Sequence, residues 1–543
     1  MNTEKYLIGF NIGPIYEVMK HSKKTRELWF GSYLFSMLIK MVYEKLSKSR
    51  YTIIKPYYEE VNKEKSTAGL FPDRIVAIAS NNVDKIKTDI DKIVKEVKGE
   101  FSKIIVNLIS LEIKRSITDT EGTDHKAAKI IFNSTADIIN EYLQLDYVII
   151  PQGTLDDKDI IKEVESFLDA VEVNRSFALG KNEPTCYRCK SLPAIVEVFE
   201  QWETPANQNQ KLCPFCFIKL RSHFSKEIQE LTGIEDKKPF PALRDISAVE
   251  LKEKYPLVFT EYEDNEEKEL FEDQRIKVKN YHKYYALFMA DGDNLSKVSK
   301  NLKTPEELSK YLFDFGNRVY SLSKNEYHGE PIYIGGDDIF AIMPFAFSDQ
   351  NGIKTVFDFA LKINNEYDRI VSQKIRADED KTSLSIGIVI AYYKYPLAMA
   401  LEEVQKQLFE VAKQIKGKNG LAVKFIQHSG AESKFACKFN DPILSTYTDL
   451  YKIVLTSGKR FPAVHHKIDT FKALFINLEN ESQLENLLTK RFYEGFTDDE
   501  QKERFKVLMK KTLIKFLKGK EAEKELERVS DMLHILKFIK GEK

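Results

Sequence analysis

A Gly-Gly-Asp-Asp sequence between two short apolar runs constrains the fold of this chain more than any other feature. The runs are Ile332–Ile334 and Ile339–Met343, and the residues between them are Gly335, Gly336, Asp337 and Asp338. Apolar runs on either side of a glycine-containing turn predict a tight β-hairpin. The two adjacent carboxylates at its tip repel each other, and a divalent cation would remove that conflict. Mg²⁺ or Mn²⁺ prefers carboxylate oxygen and shares its coordination shell with substrate phosphates.

A second acidic cluster lies upstream, at the end of another apolar run. Tyr284–Ala290 is typical of a buried strand and is followed at once by Asp291-Gly-Asp-Asn294. Because a helix separates the two clusters, strand, helix and hairpin begin a βαββ unit. We expect its first and second strands to be neighbours, which would bring Asp291 close to Asp337 and Asp338 in one metal site.

The helix between the clusters has a start signal of its own. Thr304 is the expected N-cap, Pro305 the first helical residue, and Glu307 the residue that closes a capping box. Further elements complete a βαββαβ order, which is that of a ferredoxin-like palm. They are the helices Phe357–Ser372 and Pro396–Lys416 and the strands Thr382–Ala391 and Leu421–Ile426.

Each acidic cluster also has an ordinary interpretation. Asp-Gly and Gly-Gly-Asp are common turn sequences, so either cluster alone could be a solvated loop. Asp291-Gly-Asp-Asn294 faintly resembles a calcium-binding loop, but it lacks the later glycine and the distal glutamate of that motif. The metal site is favoured because both clusters end apolar strands at a βαβ spacing.

Two CxxC pairs form the next strong motif. Cys186 and Cys189 precede Cys213 and Cys216, which is the spacing of structural Cys₄ zinc sites. A redox role for one pair is the alternative. A fully ligated Zn²⁺ has no open position for catalysis, so we expect a structural zinc ion. Cys437 stands alone, as a small apolar residue.

The acidic motifs resemble a known family. Ala290-Asp-Gly-Asp-Asn-Leu295 followed by Gly335-Gly-Asp-Asp338 is similar to the palm of the large polymerase-like subunit of type III CRISPR effector complexes, the Cmr type especially. Diguanylate cyclases share this palm, with GGDEF or GGEEF at the hairpin. The Ile12-Gly-Pro14 turn and the helix expected over Lys23–Ser36 resemble the start of the first palm of the Cmr-type subunit.

This resemblance implies an α+β chain with two ferredoxin-like palms, a Cys₄ zinc insert and a C-terminal helical domain. The expected boundaries are 1–175 for a degenerate first palm, 176–245 for the zinc module, 246–430 for the catalytic palm and 431–543 for the helical domain. The first palm lacks Gly-Gly-Asp-Asp, so we expect it to be structural. An N-terminal His-Asp nuclease domain is expected to be absent. From about Gly430 the pattern becomes helical, with candidates at Asp441–Thr456, Ile468–Glu479, Gln483–Tyr493, Asp499–Lys518 and Glu521–Ile539.

The expected reaction is nucleotidyl transfer. Asp291, Asp337 and Asp338 would hold two Mg²⁺ or Mn²⁺ ions about 4 Å apart, to activate a 3′-hydroxyl and offset phosphate charge. The carbonyl of Gly292 is a further candidate ligand, and Asp293 would orient the loop or bind ribose. The lack of side chains at Gly335 and Gly336 would let the nucleotide approach the main chain.

The resemblance adds a lysine, a substrate and a product. Ala412-Lys-Gln-Ile-Lys-Gly-Lys-Asn-Gly420 is similar to a segment whose lysine neutralises the triphosphate, which assigns that role to Lys413. Alternatively, these basic residues merely complement a helix C-terminus. Family members make cyclic oligoadenylate from ATP when the complex binds target RNA. A dinucleotide cyclase and a non-catalytic nucleotide-binding scaffold are the alternative functions.

Composition limits the choice of partners and compartment. The chain has 83 Lys and Arg residues and 83 Asp and Glu residues, so it lacks the overall basic excess that would indicate nucleic-acid binding. No apolar stretch approaches membrane-spanning length, no signal peptide is visible, and paired cysteines suit a reducing cytoplasm. The resemblance implies other effector subunits, guide RNA and target RNA as partners. The Lys- and Phe-rich Lys490–Lys520 would be a contact surface or a solvated helical face.

Overall fold

The computed structural model describes residues 5–49, 51–59, 68–69, 71–118, 128–130, 135–152, 160–173, 184–198, 210–221, 240–263, 270–298, 302, 304–350, 352–375, 381–457, 459–513 and 520–540. The fold class expected from sequence is confirmed: two palm-type sheets flank a cysteine-rich segment, and helices follow. The acidic run Glu261–Asp273 lies partly outside the described residues. None of the helices in these ranges combines the length and apolarity needed to cross a membrane.

The N-terminal third forms a ferredoxin-like sheet. Its strands are β1 (Lys5–Gly13), β2 (Thr52–Lys55), β3 (Arg74–Ser80), β4 (Ala128–Ile130) and β5 (Gln144–Pro151), and its helices are α1 (Ile15–Met19), α2 (Thr25–Lys48), α3 (Val83–Thr118), α4 (Thr135–Tyr142) and α5 (Ile160–Val173). Four strands are antiparallel in the order β2-β3-β1-β5. β1 takes a central position because all its residues after Lys5 are buried.

The cysteine-rich segment packs against helix α2. It contains β6 (Val196–Val198), β7 (Gln210–Leu212) and α6 (Pro214–Arg221), and β4 joins β6 and β7 in a small sheet. Arg188 of the first CxxC pair forms a buried 2.7 Å ion pair with Glu27 of α2. Trp29, on the next turn of the same helix, is buried and stacks on Phe240. The segment is therefore part of the N-terminal core.

The second palm carries a larger sheet. Its strands are β8 (Tyr284–Asp293), β9 (Glu330–Gly335), β10 (Asp338–Pro344), β11 (Ala346–Asp349), β12 (Gly352–Thr355), β13 (Ser383–Tyr392), β14 (Gly420–Ile426) and β15 (Glu432–Lys438). The helices from Leu243 onward are α7 (Leu243–Ser247), α8 (Val249–Lys254), α9 (Pro256–Glu263), α10 (Leu295–Val298), α11 (Pro305–Ser321), α12 (Val356–Tyr367) and α13 (Leu397–Gln405). Six strands form one sheet in the order β15-β14-β13-β8-β10-β9, and β11 pairs with β12.

The hairpin is confirmed, but the expected strand neighbours are wrong. β8 pairs with β10, the second arm of the hairpin, and β9 lies at the edge. The reason is chemical: Pro331 in β9 has no main-chain N–H to donate to a neighbouring strand, which suits an edge strand. The wholly apolar run of β10 suits an interior strand, and Ile339 to Pro344 are all buried. Both acidic clusters still lie at the same end of the sheet, because β8 ends where β10 begins.

Two local expectations for the palm helices need correction. Thr304 is the N-cap of α11 and Pro305 its first residue, but the Thr304 side chain makes no capping hydrogen bond, so the expected capping box is wrong. The helix expected over Pro396–Lys416 is not continuous. α13 is followed by a π-helical turn at Lys406–Val411 and a 3₁₀ turn at Ala412–Gln414.

The C-terminal region is helical but begins with a strand that the sequence analysis missed. β15 extends the palm sheet, and its buried residues Ser433, Phe435 and Cys437 alternate with more exposed ones. The helices are α14 (Pro442–Thr456), α15 (Val464–Thr470), α16 (Lys472–Ile476), α17 (Glu481–Arg491), α18 (Asp499–Leu513) and α19 (Lys520–Lys540). The single helix expected over Ile468–Glu479 is wrong, because the chain forms two short helices that meet at Phe471.

Alternating residues of the second sheet face two different cores. Ala286 and Phe288 of β8 pack with α11, α12 and the C-terminal helices. Tyr285 and Leu287 pack on the other face, in a core shared with α13 and the N-terminal third. Because side chains alternate between the two faces of a strand, this six-stranded sheet packs between the N-terminal and C-terminal parts of the chain.

Candidate active site

Strand register brings the two acidic clusters together. Ile339 lies opposite Ala290 in the β8–β10 ladder, so Asp338 and Asp291 are the next residues toward the same edge. The hairpin closes with Asp338 opposite Gly335, and Gly336 has φ +79°, which favours glycine. The structure therefore places Asp291, Asp337 and Asp338 around the tip of one hairpin.

Asp337 packs directly onto the end of β8. A Cβ placed on Gly292 would stand 2.8 Å from Oδ2 of Asp337 and 2.7 Å from Cδ1 of Leu295. A side chain at position 292 would force Asp337 or Leu295 to shift, because both distances are well inside van der Waals contact. Gly292 is thus required sterically, as well as being the residue whose carbonyl was assigned from sequence to a metal.

The ammonium of Lys413 contacts two oxygen atoms that the sequence predicts to be metal ligands. Its ammonium forms an ion pair with Oδ2 of Asp291 and donates a 3.1 Å hydrogen bond to the carbonyl of Gly292. Oδ1 of Asp293 is 4.0 Å from the same nitrogen. Lys413 and Asp291 are both mostly buried, with side chains 16% and 18% exposed. The oxygens of Asp291, Gly292 and Asp293 therefore form an environment that favours a cation.

Asp293 holds the neighbouring main chain in place. Its Oδ2 accepts hydrogen bonds from the hydroxyls of Ser383 and Ser385, each at 2.8 Å, and from the main-chain N–H of Asn419 at 3.1 Å. Its side chain is fully buried, and Oδ1 is buried without a hydrogen bond. Asp293 thereby ties β8 to β13 and to the turn after Lys413, and its surroundings leave little access for a ribose.

The three carboxylates oppose one another's ionisation. Burial, followed by the charge of Asp337, raises the pKa of Asp291 from 3.8 to about 6. Burial and then the charges of Asp337 and Asp291 raise the pKa of Asp338. The pKa of Asp337 is raised by burial, against the effect of Lys55. Buried carboxylates that oppose one another's ionisation, with a lysine ammonium on one carboxylate oxygen and on the neighbouring Gly292 carbonyl, have the chemistry of a divalent-cation site.

The two glycines of the hairpin have different surroundings. A Cβ on Gly335 would overlap the hydroxyl of Tyr333, two residues earlier on the same face of β9. Space at Gly335 is therefore taken by the protein itself. A Cβ on Gly336 would meet only Leu312, at 3.8 Å. Gly336 is the position of the pair at which the main chain is open to a ligand.

A cavity adjoins Gly336 and Asp337, and part of its wall comes from the N-terminal third. Helix α11 supplies polar Ser309 and Asn317 and aromatic Phe313, and the end of β2 supplies Lys55, Pro56 and Tyr57. Sequence reasoning missed these residues. Lys55 and Tyr57 carry no local motif, since what brings them to the hairpin is the packing of one domain on the other.

The four motif cysteines come together as expected. Cys186, Cys189, Cys213 and Cys216 are buried, and their sulfur atoms lie within 4.8 Å of one another. The sulfurs of Cys189 and Cys213 are 3.8 Å apart. Four thiolates around one tetrahedral Zn²⁺, with Zn–S bonds of about 2.3 Å, would be about 3.8 Å apart. The cluster therefore fits zinc.

Two family descriptions match the chain. Residues 284–422 match the second palm domain of Cas10/Cmr2, and residues 7–107 match the N-terminal domain of the CRISPR-associated protein Cmr2. The chain is 28% identical over 303 residues to the CRISPR system Cmr subunit Cmr2 of Pyrococcus furiosus. That alignment covers 48% of this chain and 32% of the relative, so the match spans about a third of the relative's length.

Solved structures share the architecture. The fold is similar to a chain in the cryo-EM structure of the type III-B Cmr-beta complex bound to cognate target RNA, with a TM-score of 0.63. It is also similar to a chain of the apo complex, with a TM-score of 0.59. Coverage is 98% of this chain and 83% of the other in the first case, and 92% and 79% in the second. At 14% identity, these likenesses show a common fold.

Proposed function

This chain is a palm protein of the Cmr type, and from that premise we propose that it polymerises ATP into cyclic oligoadenylate as a subunit of an RNA-guided type III CRISPR effector complex. The observation that carries the proposal is the convergence of Asp291, Asp337 and Asp338 beside Lys413 at one hairpin. Three clustered carboxylates raise the free energy of the folded chain, so a binding function is the natural reason for their presence.

Asp291, Asp337, Asp338 and the carbonyl of Gly292 would hold two Mg²⁺ or Mn²⁺ ions, which supply activation of the attacking 3′-hydroxyl and neutralisation of phosphate charge. Lys413 turns its ammonium from Asp291 and Gly292 toward the triphosphate, where it offsets charge on the departing pyrophosphate. Asp293 and its serine partners keep β8 and β13 in register while Lys413 moves.

The cavity beside Gly336 is the proposed nucleoside site. Gly336 leaves the main chain open there, and Tyr57 and Phe313 place aromatic rings, 5.6 Å apart, next to it. The amide of Asn317 offers both a donor and an acceptor to the edge of a base. An aromatic wall with one amide is a suitable environment for adenine.

Zinc at the four cysteines has a structural part in the proposal. Cys186, Cys189, Cys213 and Cys216 would hold Zn²⁺ with no open coordination position, so the ion contributes folding energy and no chemistry. The segment packs on α2 through the buried pair of Arg188 and Glu27. Its role is to fix the N-terminal third against the catalytic sheet.

The proposed partners are the other effector subunits, guide RNA and target RNA. The architecture shared with a chain of the target-RNA-bound Cmr-beta complex supports this assignment. Lys490–Lys520 is a less suitable RNA surface than its composition indicates. Within the described part of that segment, Lys506 and Lys510 are paired with glutamates of α17 at 2.7–3.2 Å.

One observation favours a second candidate, a nucleotide-binding scaffold without catalysis. Lys413 occupies Asp291 and the Gly292 carbonyl, which is a stable arrangement as it stands. A scaffold of this kind would bind ATP and release no pyrophosphate. The third candidate, a dinucleotide cyclase, shares the reaction class and differs in product mass.

The experiment is incubation of the target-bound complex with ATP and Mg²⁺ or Mn²⁺, followed by mass analysis of products. Cyclic oligoadenylates from the unaltered complex, and none from Asp337→Ala with Asp338→Ala, are expected. Thermal unfolding and complex assembly of the double variant serve as controls. ATP binding without any product would favour the scaffold, and a cyclic dinucleotide the dinucleotide cyclase.

A further inference from the structure

The segment that carries Lys413 is a π-helical turn followed by a 3₁₀ turn. The π turn covers Lys406–Val411, directly after α13, and the 3₁₀ turn covers Ala412–Gln414. From this last turn, the ammonium of Lys413 contacts the carboxylate of Asp291 and the carbonyl of Gly292. The path of the main chain before Lys413 therefore determines where the ammonium lies.

The π turn follows from the spacing of buried residues. Ala400, Val404, Leu408 and Ala412 are all buried and are spaced four residues apart. Four residues of an α-helix turn through about 400°, so this stripe would drift by about 40° per step and leave the sheet. A π turn is wider, because its hydrogen bonds join residues five apart, and it takes up part of the drift. Ala412 thereby stays against the sheet, with Lys413 next to it.

A glycine of β13 lies directly under the π turn. A Cβ placed on Gly387 would stand 2.6 Å from the main-chain nitrogen of Leu408 and 3.0 Å from the carbonyl oxygen of Val404. Both are main-chain atoms, which cannot rotate aside as the end of a side chain can. On the neighbouring strand β14, a Cβ on Gly420 would overlap the carbonyl of Ala412. The segment thus lies main chain against main chain on two strands, at positions where a side chain would force it to shift.

β13 is an interior strand, which makes it the fixed member of this contact. It is hydrogen-bonded to β8 on one side and to β14 on the other. Gly387 lies opposite Met289 of β8, and Ser385, two residues earlier, lies opposite Asp291. A turn packed on a sheet yields more readily than a strand bonded along both edges. Extra volume at Gly387 would therefore lift the segment that carries Lys413 and leave the carboxylates in place.

We propose that Gly387 is a positioning residue for Lys413. By letting the π turn rest on β13, it places the Lys413 ammonium within reach of Asp291, of the Gly292 carbonyl and, during the reaction, of the triphosphate. Gly387 acts through Lys413 and not on the substrate itself. This inference rests on the proposed function, in which Lys413 offsets charge on the departing pyrophosphate.

The test compares Gly387→Ala with Gly329→Ala, each alone and combined with Lys413→Met. Gly329 is a matched control for overpacking in the same palm. A Cβ there would stand 2.6 Å from Cε of Met343, and Gly329 precedes β9, at the end of that strand away from the hairpin tip. A second variant deletes the exposed Glu410. The deletion removes the extra residue of the π turn without adding volume, so it moves the same segment by a different route.

The first measurement is the labelling of lysines in the metal-free full chain by a small amount of an amine-acylating reagent, read by peptide mass spectrometry. Lys45, which is ion-paired and 21% exposed, is the internal reference for Lys413, which is ion-paired and 16% exposed. Labelling of Lys413 relative to Lys45 should rise about two- to fivefold in Gly387→Ala, the size of a partly exposed ion pair. The Glu410 deletion should give a similar rise, and Gly329→Ala none.

The second measurement is Mn²⁺ affinity by electron paramagnetic resonance. Gly387→Ala should tighten Mn²⁺ binding about two- to fivefold, because the competing ammonium is withdrawn. In the Lys413→Met background, Gly387→Ala should have no further effect on Mn²⁺ affinity, since the two residues act as a unit. In the target-bound complex, Gly387→Ala should lower kcat for ATP about tenfold to a hundredfold and change KM less than about twofold, because a displaced group loses its contact in the transition state.

Three results would overturn the inference. Unchanged Lys413 labelling and Mn²⁺ affinity in Gly387→Ala would show that the ammonium has not moved. A change in Mn²⁺ affinity that persists beside Lys413→Met would show that Gly387 acts through other groups. Equal changes in Gly329→Ala would make them a general effect of overpacking. Thermal unfolding checks each variant, and the Glu410 deletion decides by the same readings should Gly387→Ala not fold. Absence of ATP turnover by the unaltered complex contradicts the proposed function, whereas the labelling and Mn²⁺ results still decide what positions Lys413.

Discussion

The carboxylate of Asp337 occupies the space where a side chain at position 292 would begin. Its Oδ2 lies 2.8 Å from an ideal Cβ on Gly292, so the hairpin tip and the end of β8 are in direct contact. That contact holds one acidic cluster against the other, and it requires glycine at the second position of Asp291-Gly-Asp. The glycine of Asp291-Gly-Asp, which looks like an ordinary turn residue in the sequence, is needed in the fold to make room for Asp337.

Gly292→Ala should therefore displace the hairpin and abolish metal-dependent activity. We expect a loss of about 1–3 kcal/mol in the free energy of unfolding, because overpacking forces the main chain apart. Denaturant unfolding and Mn²⁺ titration measure the two effects. Gly99→Ala is the matched control: a Cβ there meets nothing within 4 Å, and alanine in the interior of α3 should stabilise by about 0.5–1 kcal/mol. Normal Mn²⁺ binding by Gly292→Ala would contradict the steric account.

Asp338→Asn should stabilise the metal-free chain while removing its response to metal. Asp338 is a buried carboxylate beside Asp291 and Asp337, so removing its charge relieves repulsion, by about 1 kcal/mol or more. Melting curves with and without Mn²⁺ provide the measurement. The unaltered chain should melt higher with Mn²⁺ and the variant should not. A variant that is less stable without metal would indicate that Asp338 makes an essential structural contact.

Lys413→Met should bind Mn²⁺ more tightly than the unaltered chain in the absence of nucleotide. Lys413 competes for the Asp291 carboxylate and the Gly292 carbonyl, and the substitution removes the competing cation. ATP turnover should nevertheless be lost, because the triphosphate loses its lysine. Electron paramagnetic resonance of Mn²⁺ separates the two effects. Weaker Mn²⁺ binding would show that Lys413 supports the metal site instead.

Acid should destabilise the chain through His465. Burial, followed by the charges of His466 and His534, lowers the pKa of His465 from 6.5 to about 3. Below pH 6.5 the unfolded chain binds a proton that the folded chain excludes, so the free energy of unfolding falls as pH falls. The loss is about 2 kcal/mol at pH 5. His465→Phe should remove most of this slope in denaturant unfolding at pH 5 and 8, whereas exposed His466→Gln should retain most of it, because burial of His465 is the larger cause. An unchanged slope in His465→Phe would assign the effect to other groups.

Zinc removal should unfold the N-terminal third. The four cysteines belong to the same core as β1 and α2, so losing their cross-link exposes that core. Cys216→Ser should lower both the zinc content, measured by atomic absorption, and the melting temperature. Cys437→Ala is the control, because Cys437 is buried in β15, away from the cluster. A zinc content that stays at one per chain in Cys216→Ser would exclude that ligand.

Much of this protein could be predicted from local sequence. The hairpin, β8 and α11 follow from apolar runs and start signals, which depend on neighbours within a few residues. The spacing of the four cysteines predicts their cluster, because each CxxC turn brings two thiols together. The strand β15 also has a local signal, because buried Ser433, Phe435 and Cys437 alternate with more exposed residues.

Only the tertiary structure decided which elements became neighbours and which side chains meet across domains. β8 could have paired with either arm of the hairpin, and the choice of β10 depends on burial of the whole sheet between two cores. Lys55 and Asp337 line the same cavity because Gly69 and Tyr57 dock the N-terminal third onto β9 and α11. Sequence determines short-range geometry, where the main chain itself fixes distances. Contacts between residues hundreds of positions apart depend on how two surfaces pack, which no local pattern encodes.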